Sequence, residues 1–381
     1  MVAITGFCIR LYPTKEQEKM MIKHINCARY IWNYMLELQQ ARYKNGEKHL
    51  SRFDMIKMLT TLKNDGEHEW LREVLSATLQ SVCGDLSAAY RSFFNKSAGY
   101  PKFKSKKKSK QSYPLRSDGM YFSEQKVYIN KIGAVKYKSD MTFRDGRNNR
   151  YLNPRVKYEF GMWMLSFCEE RDNQALTLTD NKMGIDLGVK ELATVAYGSE
   201  KYVFGNINKS NKVRNIKARL KFLQRSLSRK YEANKVGCKY VKTQNIVRQE
   251  IKISKLYRRL SNIRKNYIHQ ITARLTKQMR PSRVVMEKLN VKGMIKNHRL
   301  AESIQDQCFY EFSRQVKYKC WRNDIEFMQA DRFYPSSKTC SNCGFVNSKL
   351  RLTDRIYVCP NCGFEIDRDY NAAINLQRYE A

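Results

Sequence analysis

An α+β protein of several domains is what this sequence predicts: an N-terminal β-barrel with a helical insertion, then an α/β unit into which a zinc ribbon is inserted. Three observations carry that expectation. Short apolar strands flank a helical stretch within the first 178 residues, apolar strands alternate with long cationic helices after residue 182, and two CxxC pairs stand near the C-terminus. With 381 residues, 42% of them hydrophobic, the chain is long enough to bury two or three separate cores.

The barrel is assigned to residues 1–13 and 100–178. ITGFCIRLYP at 4–13 is apolar, β-rich and closed by Pro13, and the β pattern returns in KVYI, AVKYK, RVKYEF and MWMLSFCEE, punctuated by Gly, Asn, Asp and Pro. The helical insertion covers 14–99. Thr14 with Gln17 three residues on is a capping box, and Met21, Ile25, Cys27, Ala28, Ile31, Trp32, Met35 and Leu36 share one helical face. A second helix is expected from Trp70 to Phe94. The segment YPKFKSKKKSKQSYPLR at 100–116 carries seven basic residues and no acidic one, and reads as a phosphate-touching loop. Tyr12, Trp32, Tyr34, Tyr90, Phe93 and Phe94 fall at helix or strand spacing and read as core.

The α/β unit is assigned to 179–335 and 364–381, with the ribbon at 336–363. MGIDLG and ELATVAYG form a hairpin. Between Asn206 and Lys265 there are 19 basic and two acidic residues, and Ile253, Leu256, Leu260, Ile263, Tyr267, Ile271 and Leu275 recur at three- and four-residue spacing, the pattern of a helical hairpin with a cationic outer face. RVVME at 283–287, after Pro281, reads as a buried central strand ending in an acid.

Charge narrows the partner. Seventy-two Lys and Arg against 36 Asp and Glu give a formal charge of +36, the balance expected where a polyanion is neutralised. No apolar run of membrane length, signal peptide or basic amphipathic anchor is legible, so a soluble intracellular protein is expected. Cys8, Cys27, Cys83, Cys168, Cys238, Cys308 and Cys320 are scattered singly and read as reduced, mostly buried thiols.

Cys340 with Cys343 and Cys359 with Cys362 are separated by 15 residues, each pair followed by Gly, as four tetrahedral Zn²⁺ ligands require; paired redox dithiols are the competing reading. Four thiolates leave no coordination position for water, so one structural zinc is expected. Three acids occupy unlike contexts: Asp186 inside the apolar strand GIDLG, Glu287 at the end of VVME, and Asp369 just before the helix YNAAINL. An acid in an apolar strand is costly to bury alone and should face a cleft, a partner or a metal. Carboxylates converging from two strands and a helix can hold two Mg²⁺ ions about 4 Å apart for phosphodiester hydrolysis, and this order is that of an RNase H-like nuclease. Singly, Asp369 also reads as a helix N-cap, Asp186 as a turn former and Glu287 as a surface ion-pair partner. Glu365 and Asp367 compete with Asp369, which helix geometry favours; Asp367 reads as a supporting group. His269 and His298 receive no role.

The order RLYPTKEQ, GYPKFKSKKK, GIDLGVKELATV, LSRK, VVMEKLNVKGM, CSNCG, CPNCG and DRDYNAAINL resembles the TnpB family, transposon-associated proteins similar to compact type V CRISPR effectors, over nearly the whole chain. The resemblance implies an RNA-guided DNA endonuclease of an insertion-sequence transposon, with a single RuvC-like site carried by Asp186, Glu287 and Asp369 and a guide (omega) RNA made from the transposon end. It further implies a wedge-type barrel that, with its helical insertion, holds the guide and reads a short motif beside the target in double-stranded DNA. Arg52, Ser76, Ala77, Gln80, Ser117 and Asp118 are the motif-reading candidates. Lys102, Lys104, Lys106, Lys107, Lys108, Arg225, Arg229 and Lys230 are candidates for contacts to nucleic-acid backbone. A monomer within the ribonucleoprotein, in the prokaryotic cytoplasm at the nucleoid, is expected. A guide-RNA repressor without cleavage, a strand-transfer transposase and a CRISPR-associated effector are the alternatives; the presence of all three acids speaks against the repressor.

Overall fold

A computed structural model describes residues 2–107, 109–146, 149–172, 176–351 and 353–380, the side chains of Val2 and Asp172 excepted. The chain forms two units, one ending at Asp172 and one comprising the residues that follow.

In the first unit β1 (Val2–Tyr12) leads into α1 (Lys15–Lys44), whose Thr14–Gln17 capping box is fully made. Then come α2 (Arg52–Leu62), α3 (Ser76–Phe94), β2 (Gln111–Pro114), β3 (Met120–Ser123), β4 (Lys126–Ile129), β5 (Gly133–Lys138), β6 (Leu152–Glu159) and β7 (Met162–Asp172). All seven strands join one antiparallel sheet in the order β2-β6-β7-β1-β5-β4-β3, with β1 central. Its buried residues, among them Ile9, Leu11, Phe122 and Phe167, share one core with α1 and α3. The expected barrel is a curled sheet that does not close: among the described residues no ladder joins β2 to β3. β2 has four residues and ends in Pro114, which cannot donate to a further ladder and suits an edge.

Three further expectations change in this unit. The Trp70–Phe94 helix is broken: Glu69–Glu73 is a 3-10 turn and Val74 and Leu75 are extended. Distant groups hold the break, since His24 Nε2 accepts the Leu75 N–H (3.1 Å) and Lys131 Nζ donates to the Arg72 (2.8 Å) and Val74 (3.2 Å) carbonyls. The basic segment is not loop throughout: β2 begins at Gln111. Tyr12 and Phe94 are exposed, outside the core.

The second unit contains β8 (Lys182–Leu187), β9 (Glu191–Tyr197), β10 (Glu200–Gly205), α4 (Asn211–Ala233), a minimal hairpin of β11 (Lys235–Val236) and β12 (Lys239–Tyr240), then α5 (Gln244–Ala273) and β13 (Arg283–Glu287). After these come α6 (Val291–Met294), α7 (His298–Gln307), α8 (Phe309–Arg322), β14 (Glu326–Ala330), β15 (Ile356–Val358), β16 (Glu365–Asp367) and α9 (Arg368–Gln377). Five strands form a sheet in the order β10-β9-β8-β13-β14, antiparallel through β8 and parallel from β8 to β14. Strand alternation gives this sheet two different faces. Met183, Ile185, Val284 and Met286 pack with Ile268 and Ile271 of α5 and Phe312 and Val316 of α8. The opposite face carries Gly184, Asp186, Val285 and Glu287, and there Val285 packs with Leu376 of α9. The cationic hairpin folds as expected, α4 and α5 meeting through Val213, Ile216, Leu220, Ile253 and Leu260. Cys8 and Cys238 are exposed, unlike the buried Cys27, Cys83 and Cys320.

Candidate active site

The site follows from where β8, β13 and α9 cross. Gly184 and Asp186 are two residues apart on β8 and so share a face, separated by roughly 6.6 Å along the strand. α9 lies on that face against the strand backbone: a Cβ built on Gly184 would stand 2.0 Å from the Ala373 carbonyl oxygen and 2.3 Å from the Gln377 nitrogen. Gln377 Nε2 donates to the Lys182 carbonyl (2.9 Å), so the helix runs antiparallel to the strand. One turn back from Ala373, roughly 6 Å along the axis, is Asp369, which the crossing brings to Asp186. β13 lies parallel beside β8 with Met286 opposite Ile185, and the next residue, Glu287, reaches the same end of the sheet.

Electrostatics record the meeting. Burial first, then the nearby Asp369 and Glu287 carboxylates, hold the Asp186 carboxyl well above the usual carboxylate range, with Arg368 opposing. Burial also raises Glu287. Three acids crowded in a partly desolvated place, with one guanidinium as offset, are a donor set suited to a hard divalent cation. Among the described residues, the group whose ligand atoms gather as those of a single ion would, within 4.8 Å of one another, is the four cysteines.

Asp367, not Asp369, is the N-cap of α9. It accepts the Tyr370 N–H (2.9 Å) and pairs with Lys201 (3.3 Å), while Asp369 stands inside the first turn. The N-cap reading of Asp369 is therefore overturned, and its carboxylate is left for the cluster.

The four cysteine sulfurs gather as a zinc site demands. Cys340 Sγ and Cys362 Sγ are 3.8 Å apart, Cys343 Sγ and Cys359 Sγ 3.6 Å, close to the edge of about 3.8 Å that a tetrahedron with 2.3 Å Zn–S bonds has. The Phe345 N–H and the Asn361 amide bring the Cys343 thiol down to about 6, favouring thiolate. Sequence reasoning missed the residues that fasten this ribbon to α9. Asn371 Oδ1 accepts the Ser341 N–H (2.9 Å) and its Nδ2 donates to the Thr339 carbonyl (2.7 Å); Asn375 Nδ2 donates to the Ser336 (2.8 Å) and Thr339 (2.7 Å) carbonyls. Two amides one turn apart, set among the small and apolar Ala372, Ala373 and Leu376 of α9, were the available signal.

The remaining candidates are more dispersed. Arg52, Ser117 and Asp118 line one open groove with Ser81, Arg116 and Arg150. Ser76, Ala77 and Gln80 occupy the first turns of α3, and the Ser76 hydroxyl accepts from Lys63 Nζ (2.8 Å). Lys102, Lys106, Lys107, Arg225 and Arg229 are exposed and Lys230 is half-buried. Lys104 is turned inward, its ammonium 3.3 Å from the centre of the Trp32 ring, and burial lowers it to about 8. Lys108 lies outside the described residues.

Known proteins place the chain. Residues 166–298 match the family described as "Probable transposase" (OrfB, IS605), 309–376 match "Cas12f1-like, TNB domain", and 1–48 match "Helix-turn-helix domain", although those 48 residues form one strand and one long helix here. A "Putative RNA-guided DNA endonuclease" of Streptomyces pristinaespiralis is 29% identical over 97% of this chain and 88% of its own length. "Putative RNA-guided DNA endonuclease InsQ" of Escherichia coli (strain K12) is 29% identical over 99% of this chain and 92% of its own. The fold is that of a Cas12f1 protein solved by cryo-EM as a complex with sgRNA and target DNA: TM-score 0.54, 14% identity, 99% of both chains covered. The fold is shared with compact Cas12f proteins, and the matched models are those of IS605-type transposases and a Cas12f1-like TNB domain. Over 97–99% of its length the chain is similar to proteins named RNA-guided DNA endonuclease and TnpB-like. No helix among the described residues is long and apolar enough to cross a membrane.

Proposed function

We propose that this chain is an RNA-guided DNA endonuclease that hydrolyses phosphodiester bonds of target DNA in a Mg²⁺-dependent RuvC-like site formed by Asp186, Glu287 and Asp369. The observation that supports it is the convergence of three carboxylates, from two parallel strands and a helix start, on one face of one sheet. Bound Mg²⁺ would supply water activation and charge neutralisation there. Asp186 is central, facing both other acids. Glu287 fixes the parallel-strand side and Asp369 the helix side, and Arg368 offsets part of their mutual repulsion. The ribbon cysteines hold one structural zinc and take no part in the chemistry.

The N-terminal unit, with 14–99 as its helical insertion, is assigned to guide RNA and to the target-adjacent motif. The Arg52–Ser117–Asp118 groove and Ser76, Ala77 and Gln80 of α3 read that motif. Lys102, Lys106, Lys107, Arg225, Arg229 and Lys230 meet guide and heteroduplex through phosphate, with no sequence readout. The particle acts as a monomer bound to its guide, on DNA in the prokaryotic cytoplasm.

The test is expression with native flanking DNA, sequencing of copurified RNA, and plasmid cleavage with Mg²⁺ for wild type, Asp186→Asn, Glu287→Gln and Asp369→Asn. Guide-matched cutting that all three variants lose, with RNA retained, is the expected result. Bound RNA without cutting by wild type would replace this reading by a repressor, and absence of bound RNA by a strand-transfer transposase.

A further inference from the structure

The side-chain amide groups of Asn371 and Asn375 are spent on one short segment. All four of their hydrogen bonds go to Ser336, Thr339 and Ser341, and Arg378 adds a bond to the Ser341 carbonyl. Asn371 has no exposed surface and Asn375 almost none, so each amide would carry the full cost of a buried unpaired polar group if the segment moved away. Ser341 lies inside the Cys340–Cys343 turn, so the N–H that Asn371 holds belongs to the metal-binding loop itself. Asp369 is two residues before Asn371, about 200° round the helix, so the ribbon grips one side of α9 while the carboxylate leaves from the other. Gly184 leaves that other side flush against β8, with main chain touching main chain. The helix is clamped between strand and ribbon.

We propose that Asn371 and Asn375 are positioning residues that couple the zinc ribbon to the seat of Asp369, so that metal loading of the ribbon and placement of the carboxylate are one equilibrium. This rests on the reading of Asp369 as a nuclease acid. The coupling is reciprocal, as any linkage between two sites is: loosening α9 loosens the metal, and losing the metal frees the first turn of α9.

The ribonucleoprotein is purified as wild type, Asn371→Ala and Asn375→Ala. Zinc release to the colorimetric chelator 4-(2-pyridylazo)resorcinol is timed, and target affinity and single-turnover cleavage are measured separately. Both variants are expected to release zinc roughly 10- to 100-fold faster, the usual penalty for losing an outer partner of a metal site, and to cleave more slowly at unchanged target affinity. Release within twofold of wild type overturns the proposal. Hydrogen exchange on the wild-type complex decides the matter should a variant fail to fold: stripping zinc is expected to remove protection from the Tyr370–Ala373 amides while β8 and β13 keep theirs, and unchanged protection in α9 overturns it. Zinc release and exchange are read without cleavage, so an inactive wild type would refute the nuclease reading and leave these two measurements to decide the coupling.

Discussion

Gly184→Ala is the smallest change that tests the architecture of the site. The added carbon would stand 2.0 Å from the Ala373 oxygen, 2.3 Å from the Gln377 nitrogen and 3.0 Å from the Gln377 Cα. Comfortable contact needs roughly 3.5 Å, so α9 has to lift by about 1.5 Å, and because both obstructing groups are main chain no rotamer relieves the clash. Overpacking of this kind costs up to about 3 kcal/mol, which lowers the melting temperature of a unit this size by roughly 6–12 °C. Asp369 travels with the helix, and a displacement of about 1 Å at a reacting group costs roughly 100-fold in rate. The assay pairs thermal unfolding with single-turnover cleavage of guide-matched DNA, with Gly99→Ala as control because nothing lies within 4 Å of a Cβ at that position. If Gly184→Ala melts and cleaves as wild type does, α9 does not seat on β8 in this way and the meeting of Asp369 with Asp186 falls with it. A lower melting temperature with an unchanged cleavage rate would refute the positional argument alone.

Asp367→Ala should cost about 1 kcal/mol, the loss of an N-cap, and leave cleavage within a few-fold of wild type; abolished cleavage would make Asp367 the third acid in place of Asp369. His24 is buried, its Nδ1 bonded to the Met20 carbonyl and its Nε2 to the Leu75 N–H, and burial lowers its pKa from 6.5. Below pH 6.5 the unfolded chain takes up this proton first, so stability falls with falling pH through that window, and His24→Leu should flatten urea midpoints measured between pH 7 and 5; an unchanged slope would remove His24 as the cause. Buried Lys319, bonded to the His269 carbonyl and the Thr272 hydroxyl, is brought down from 10.5 to about 8 by burial. Between those values the unfolded chain binds more protons, so stability rises with pH, and Lys319→Met should abolish the rise seen between pH 8 and 10 while raising stability at pH 7 by up to about 3 kcal/mol. Equal slopes in the two proteins would refute this.

Much of the fold was legible because its signals are local. The Thr14–Gln17 box, the 3- and 4-residue spacing in α5, the β8–β9 hairpin and the ribbon spacing each depend on residues close in sequence, and each forms as read. The misses are tertiary. Nothing within Trp70–Phe94 shows that His24 and Lys131, far away in sequence, cap a break at Val74 and Leu75. Lys104 looks like its exposed neighbours until Trp32 takes its ammonium. The barrel stays open because β2 is four residues long and ends in proline, whereas the count of strands alone suggested closure. For the acids, residue type and strand context were readable, but their meeting point depends on Gly184, whose lack of a side chain is informative only once a helix is known to lie on it.

That dependence explains why the ribbon and Asp369 stand side by side in the chain. α9 is ten residues long, too short to hold its place by helix propensity. One face packs on β8, yet backbone packing at a glycine fixes distance better than rotation about the helix axis. The ribbon supplies the rotational constraint through Asn371 and Asn375, and a second one at the helix start, where Arg368 donates to the Arg351 (3.2 Å) and Asp354 (3.4 Å) carbonyls. Arg368 is also the cation that offsets Asp186. The same 30-odd residues therefore grip the helix that carries Asp369, hold the guanidinium that tempers Asp186, and carry the four gathered thiols.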